Sequence, residues 1–193
     1  FMNLMAVYGY SIQIYCDFSG YSDIAIGLAA LLGFKLPINF NSPYKAQSLT
    51  DFWRRWHISL SSWLRDYLYI SLGGNRKSKV RTYVNLFITM LLGGLWHGAA
   101  TKFIVWGALH GVGLALHRVW AKYFNIATTK VGKLVAVVFT FHFVAFCWMY
   151  FRAADMTTVG TMLESIFTDF DFAGMFHRIG AYWKVFTLML LGY

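Results

Sequence analysis

An apolar run of 18 residues without a charged side chain restricts the fold of this chain more than any other feature. It spans Leu134–Phe151 and reads LVAVVFTFHFVAFCWMYF. A helix rises about 1.5 Å per residue, so about 20 apolar residues cross the hydrocarbon core of a bilayer. The run therefore predicts a transmembrane helix.

Further apolar runs predict more helices of the same kind at Phe1–Cys16, Arg81–Trp96 and Phe103–His117, with another beginning near Tyr182. Hydrophobic residues make up 58% of the chain and charged residues 13%. A soluble domain has about 25% charged residues. We therefore predict an all-α, polytopic transmembrane helical bundle.

The segments between these runs predict where helices begin and end. DFSGYSD (Asp17–Asp23) is expected to interrupt the first span, which leaves Ile24–Phe34 too short to cross upright. Lys35–Gln47 carries both prolines of the chain and predicts a loop. Thr50 suits the N-cap of the next helix, where Asp51 would complement the positive end of the helix dipole.

The chain begins at Phe1 rather than at a methionine and stops at Tyr193 inside an apolar run. We therefore expect residues 1–193 to be a fragment of a longer polypeptide and to form part of one transmembrane domain. No signal peptide is expected, because no basic segment precedes the first apolar stretch.

The distribution of charge predicts an orientation in the membrane. Basic residues concentrate in Gly73–Arg81, whereas Ala153–Phe176 contains four acidic residues and neither Lys nor Arg. The positive-inside rule places the first segment in the cytoplasm and the second outside. The same rule accounts for the net charge of +9 without nucleic acid. We expect membrane lipids, and not nucleic acid, as partners.

The segment Asp51–Arg76 reads DFWRRWHISLSSWLRDYLYISLGGNR and mixes aromatic, basic and apolar residues. As one helix it would be amphipathic, since positions three and four apart share a face. An aromatic stripe would then contain Trp53, Trp56, Leu60, Trp63, Leu64 and Tyr67, with His57 at its border. Two interpretations stay open: a helix at the lipid interface, or the wall of an active site.

The second unusual segment, Leu91–Gly111, reads LLGGLWHGAATKFIVWGALHG. It places His97 at the end of an apolar run beside Gly93, Gly94 and Gly98. An ionisable residue at membrane depth indicates function, and glycines let a substrate approach closely. The alternative is a histidine at the membrane interface and glycines that pack helices. The residues alone favour neither.

Together, DFWRRWHISLSSWLRDYLYISLGGNR and LGGLWHG, in this order, resemble the signature segments of the membrane-bound O-acyltransferase (MBOAT) family. YCDFSGYSDIAIGLAALLGFKLPINFNSPY, upstream, is similar to the bacterial alginate O-acetyltransferase membrane-subunit branch. The resemblance is dense over residues 10–118. It implies a partial MBOAT fold that lacks the N-terminal helices of the family.

By this resemblance, the catalytic histidine of the family corresponds to His97 and its second polar catalytic position to His57. Acyl transfer to an alcohol needs a base with a pKa near neutrality, which histidine supplies. We assign His97 as the general base and His57 as the positioning or oxyanion partner. The resemblance implies an O-acyltransferase that passes an acyl group, expected to be acetyl, from a cytoplasmic thioester to an extracytoplasmic polysaccharide hydroxyl.

Arginines of the first segment suit the phosphates of acyl-CoA or an acyl-phosphopantetheine thioester, or equally those of lipid headgroups. Arg54, Arg55 and Arg65 are the candidates. The candidate substrate- and donor-binding residues are Trp53, Arg54, Trp56, Arg65 and Trp96. No bound cofactor is expected. His110 and His117 are seven residues apart, too far along a helix to share a zinc ion, so we expect no metal.

The sequence alone also allows two other functions. A transporter or channel would use intramembrane histidines as a proton or substrate path, and a scaffold would recruit a periplasmic transferase. The branch resemblance itself implies a periplasmic acyltransferase partner and the bacterial cytoplasmic (inner) membrane. We also expect His142, which lies among aromatic residues, to be a buried structural side chain.

Overall fold

The computed structural model describes residues 1–123, 129–168, 171–181, 183 and 187. Within these residues all regular structure is helical, which confirms the predicted all-α class. In chain order the α-helices are α1 (Met2–Leu31), α2 (Leu49–Arg55), α3 (Ile58–Trp63), α4 (Lys79–Trp96), α5 (Thr101–Tyr123), α6 (Lys130–Arg152), α7 (Met156–Phe167) and α8 (Phe172–Ala181). A 3₁₀ turn at Pro43–Lys45 and a π-helical turn at Leu64–Tyr69 complete the set.

One helix of the described part of the chain, α6, is long and apolar enough to cross a membrane by length and composition. It contains the predicted span Leu134–Phe151. The spans predicted at Arg81–Trp96 and Phe103–His117 are helical, within α4 and α5, but do not meet the same measure. The span predicted from Tyr182 onward lies mostly outside the described residues. The number of membrane crossings therefore stays a prediction.

The expected break at Asp17–Asp23 is wrong, because α1 runs without interruption from Met2 to Leu31. The helix accommodates serine here, since the Ser19 hydroxyl donates to the Cys16 carbonyl at 3.4 Å. The helix ends instead at Leu31, and Gly33, two residues beyond, has a left-handed φ of 81°. The N–H of Phe34 donates to the Ala29 carbonyl at 2.9 Å, which closes a Schellman motif.

The loop predicted at Lys35–Gln47 is present and lies over the helices that flank it. The Tyr44 hydroxyl donates to the Ser11 carbonyl of α1, and the Tyr44 ring packs edge-on against Phe141 of α6 at 5.2 Å. This loop leads to α2, whose N-cap is Ser48 and not the predicted Thr50. The Ser48 hydroxyl accepts the N–H of Asp51 at 3.1 Å.

Helices α4 and α5 pack backbone against backbone through glycines. A Cβ atom at Gly94 would overlap the Phe103 carbonyl oxygen, and one at Gly107 would lie 2.5 Å from the Met90 carbonyl oxygen. Helix approach this close requires residues without a side chain. The packing interpretation therefore holds for Gly94, which lies in the last turn of α4.

An aromatic core fills the space between α2, α5 and α6. Its fully buried large side chains include Trp106, Trp148 and Phe52, and Trp56 is 3% exposed. Trp106 and Trp148 stack with ring centroids 6.0 Å apart at an interplanar angle of 21°. This core forms the floor of the site described next.

Candidate functional site

A cavity of about 560 Å³ opens between α1, the α2–α3 turn, the end of α4, α5 and α6. His57 and His97, which are 40 positions apart in sequence, both line it. Three of the tryptophans predicted from sequence lie in the same wall, namely Trp53, Trp56 and Trp96. Helix α1 contributes a carboxylate, Asp17. The structure thus brings together five of the predicted site residues around one space.

His97 occupies the C-cap of α4, where its N–H donates to the Gly94 carbonyl at 3.0 Å. Aromatic rings surround the imidazole, with centroid distances of 5.0 Å to Trp96, 5.3 Å to Trp106 and 5.0 Å to Phe151. Among the described residues none hydrogen-bonds the ring of His97. Its nitrogens are therefore available to a substrate in the cavity.

His57 does not lie within one long amphipathic helix, so the prediction of a single helix over Asp51–Arg76 is wrong. Its backbone is left-handed, with φ 44° and ψ 56°, and it separates α2 from α3. A non-glycine residue rarely adopts this conformation, and such strain concentrates at functional sites. The change of direction turns the imidazole toward the cavity.

The break at His57 also divides the predicted aromatic stripe. Trp56 is 3% exposed and stacks on Phe52 with centroids 5.7 Å apart, whereas Trp63 is 53% exposed and Tyr67 69% exposed. The first half of the segment therefore belongs to the interior and the wall of the cavity. In the second half Trp63 and Tyr67 present their rings outward, as the lipid-interface interpretation expects, whereas Tyr69 lines a cavity.

A second cavity, of about 360 Å³, lies on the other side of Trp53 and is lined by Arg54, Arg65 and Arg118. Trp53 lines both cavities. Arg55 points elsewhere and forms an ion pair with Asp51 at 2.8 Å. The predicted donor-binding arginines Arg54 and Arg65 thus share a space with each other but not with the two histidines.

Arg65 has a carboxylate neighbour, since its Nε donates to Asp66 Oδ1 at 2.7 Å. These hydrogen bonds from Arg65 lower the pKa of the exposed Asp66 carboxyl. Arg54 and Arg118 have no carboxylate within ion-pair distance among the described residues. They carry most of the uncompensated positive charge of this second cavity.

Sequence reasoning missed three residues near these cavities. No sequence pattern singles out Arg118, which lies within α5. Asn39 lies within the upstream segment of the family resemblance, which assigns no role to it. His110 is fully buried, and its Nδ1 accepts the indole N–H of Trp53 at 3.3 Å. The seven-residue spacing of His110 and His117 argues against a shared zinc ion, but it does not reveal the hydrogen bond that His110 accepts from Trp53 on α2.

The expectation for His142 is wrong in its burial. The residue is exposed on α6, although its Nδ1 lies 2.8 Å from the Val138 carbonyl oxygen and its ring contacts Tyr8 edge-on. Over the described parts of the chain, no three His, Cys, Asp or Glu side chains gather closely enough to hold a metal ion.

Known proteins resemble this chain over most of its length. A model of the membrane-bound O-acyltransferase family, MBOAT, matches residues 1–160. The chain belongs to this family. Its fold is therefore a part of the MBOAT helical architecture, and the protein is one of a membrane-bound class.

Among curated MBOAT relatives, the probable alginate O-acetylase AlgI of Pseudomonas aeruginosa is 56% identical over 82% of this chain. The peptidoglycan O-acetyltransferase of Helicobacter pylori is 47% identical over 84% of the chain. The teichoic acid D-alanyltransferase of Bacillus subtilis is 34% identical over 77% of it. These matches cover 30%, 31% and 40% of the respective relatives, so the chain spans about a third of their length.

Proposed function

We propose that this MBOAT chain forms the transfer site of an O-acyltransferase that moves an acetyl group from a cytoplasmic thioester to an extracytoplasmic hydroxyl. The observation that carries the proposal is the shared cavity of His57 and His97. Two separate elements, the α2–α3 turn and the end of α4, deliver one imidazole each to the same space. Family membership supplies the reaction class.

In the proposed reaction His97 is the general base. It takes the proton of the acceptor hydroxyl while the hydroxyl oxygen attacks the thioester carbonyl carbon. The carbon–sulfur bond then breaks, and the proton passes from His97 to the departing thiolate, so that ester and thiol are the products. Aromatic rings around His97 leave less room for water beside a bound substrate, which would favour transfer over hydrolysis.

His57 is the proposed partner of His97. The tetrahedral intermediate carries a negative charge on the former carbonyl oxygen, and a donor aimed at that oxygen lowers the barrier. A neutral imidazole has one N–H, so a His57 already donating through Nδ1 would donate from Nε2 only when protonated. In its neutral form the ring would instead accept a hydrogen bond from a different hydroxyl of the acceptor and so position the attacking one for His97.

The second cavity is the proposed site for the phosphate-bearing end of the donor, either acyl-CoA or an acyl-phosphopantetheine carrier. Arg54, Arg65 and Arg118 supply the charge, and guanidinium groups match phosphate geometry. Trp53 lines both cavities, so a donor whose phosphates lie in one and whose thioester lies in the other passes this residue. Lipid headgroups are the competing ligand for the exposed Arg65.

The proposed acceptor is a polysaccharide, since the relatives are named for alginate, peptidoglycan and teichoic acid. Acetyl is preferred over D-alanyl because the more similar relatives are named as O-acetylases and O-acetyltransferases. A periplasmic acyltransferase is the proposed partner that completes delivery to the polymer. We place the protein in the bacterial inner membrane, as a multi-pass protein.

This orientation has its own test, because Gly73–Arg81 should face the cytoplasm and Ala153–Phe176 the outside. Single cysteines at Lys77 and Thr161, in a background lacking Cys16 and Cys147, should react with an impermeant thiol reagent from opposite sides. Reaction of both from one side would contradict the orientation.

The function is tested with the complete polypeptide in lipid vesicles, supplied with labelled acetyl-CoA and the purified acceptor or partner. We expect label to move into an ester that hydroxylamine removes. Proton or solute flux without any acyl product would point to a transporter. Ester formation only when the partner is present, and unchanged by loss of both histidines, would point to a scaffold.

A further inference from the structure

Asn39 lies in the loop between α1 and α2 and contacts the turn at His57 through both side chain and backbone. Its Oδ1 is 3.3 Å from His57 Nδ1, 3.2 Å from the Ser59 backbone nitrogen and 3.0 Å from Ser59 Oγ. Its backbone carbonyl accepts the N–H of Ile58 at 3.0 Å. One residue thus holds three successive positions of the turn.

The hydrogen bonds around Asn39 fix the orientation of its amide. The backbone N–H of Ser59 can only donate, so the atom that faces it must be the amide oxygen. The amide nitrogen, on the other side, donates to the Ser22 hydroxyl of α1 at 3.4 Å. Asn39 therefore presents an acceptor, and not a donor, to the imidazole.

An acceptor opposite Nδ1 determines the tautomer of His57. Neutral imidazole carries one proton, and here Nδ1 holds it in order to donate to Asn39 Oδ1. The Ser59 hydroxyl does not reverse this, since it lies 3.4 Å from Nδ1 but 3.0 Å from Asn39 Oδ1 and donates there. Nε2 is left with a free lone pair.

We propose that Asn39 is the positioning residue of His57, which sets its tautomer and ring orientation for acyl transfer. The inference rests on the proposed function and names a further residue of that site. A partner on one imidazole nitrogen determines what the other can do. With Nδ1–H held by Asn39, Nε2 of neutral His57 accepts a hydrogen bond from a hydroxyl of the acceptor other than the one that His97 deprotonates, and a protonated His57 donates its Nε2–H to the oxyanion without reorientation of the ring.

The side chain of Asn39 has this role separately from its backbone. The Ile58 N–H bonds to the Asn39 carbonyl, and the Asn41 N–H donates to the Arg55 carbonyl at 2.9 Å. Both backbone contacts survive a change of side chain and keep the loop on the turn. Loss of the amide should therefore disturb the imidazole more than the fold.

The test uses Asn39→Leu, which keeps size and removes the acceptor, and Asn39→Asp, which keeps an acceptor oxygen. Asn41→Leu is the matched control, because it makes the same change two positions away in the same loop. Each complete polypeptide is assayed in lipid vesicles for acetyl transfer from acetyl-CoA, with kcat and KM measured separately and folding checked by thermal unfolding.

We expect Asn39→Leu to lower kcat at least about tenfold, a part of the ~10²–10⁴-fold that a positioned acid–base group contributes. Its KM for acetyl-CoA should stay within about threefold of the wild type. Asn39→Asp should recover most of kcat, and Asn41→Leu should keep it. Equal kcat for Asn39→Leu and Asn41→Leu would overturn the inference, as would equal losses in both Asn39 variants. A wild type without any transfer would instead defeat the proposed function.

Discussion

The α4–α5 contact and the turn at His57 hold the two histidines of one cavity in place by different means. Gly94 and Gly107 let α4 and α5 meet at the backbone, so His97 follows from the end of a tightly packed helix. His57 instead occupies a strained left-handed position that Asn39 holds from a distant loop. One histidine depends on helix packing, and the other depends on polar contacts between loop and turn.

Because of this difference, substitutions in the two halves of the cavity should have different effects on stability and on the rate of acyl transfer. A change in the α4–α5 contact should act on stability and displace His97 along with its helix. A change at the turn should act on the reaction while most of the fold remains. Two substitutions test this distinction, and a third, with the smallest expected effect, tests the start of the helix that leads into the turn.

The largest effect is expected from His57→Ala, which should lower kcat for acetyl transfer by about 10²-fold or more through loss of a catalytic imidazole. Trp63→Phe is the control, since its ring is exposed on α3 and a phenyl ring preserves most of its apolar surface. Both variants should insert and unfold like the wild type. If the two variants lose activity equally, the lipid-interface interpretation of Asp51–Arg76 is preferred.

The second effect concerns the helix contact. In Gly94→Ala the new Cβ meets the Phe103 carbonyl oxygen and the Gly107 backbone, and overpacking of this kind costs about 1–3 kcal/mol. Thermal unfolding in detergent measures it. The matched control is Gly27→Ala, because a Cβ there has no neighbour within 4 Å. A Gly94→Ala protein as stable as Gly27→Ala would show that α4 and α5 are not in backbone contact.

The smallest effect is expected at the start of α2. Ser48→Ala removes the hydroxyl that accepts the Asp51 N–H, and loss of such a cap costs about 1 kcal/mol. Thr50→Ala should cost less, because Thr50 lies inside the helix and not at its cap. The measurement is the free energy of unfolding of each variant relative to the wild type, and the larger loss identifies the N-cap of α2. A larger loss for Thr50→Ala would restore the N-cap predicted from sequence.

The helix contact was the more predictable region. Apolar runs located α4, α5 and α6, and helix packing was one of the two interpretations that the glycines left open. The continuous α1 was missed because serine, glycine and aspartate favour turns on average. Here the Ser19 hydroxyl bonds within the helix, and α1 continues to Leu31, just before Gly33 makes the chain left-handed.

The turn at His57 was beyond sequence reasoning for a physical reason. Periodicity assumes that a helix continues, and nothing between Trp53 and Leu60 is a glycine or proline that would end it. The contacts that stabilise the break come from Asn39, which lies 18 positions before His57. The pairing of His57 with His97 was reached through the family resemblance, and the cavity they share appears only in three dimensions.

The central claim, that the cavity of His57 and His97 carries out acyl transfer, is tested most directly by His97→Gln. Glutamine keeps hydrogen-bonding capacity but is not a useful base, so kcat should fall by about 10²-fold or more. The KM for acetyl-CoA should change little, since donor binding is assigned to the arginine-lined cavity.

His142→Gln is the matched control, because it makes the same change at an exposed position of α6 outside this cavity. The measurement is the rate of labelled acetyl transfer by each complete polypeptide in lipid vesicles. The account predicts a wild-type rate for His142→Gln and near-loss of transfer for His97→Gln. A folded His97→Gln protein that transfers acetyl at the wild-type rate would contradict it.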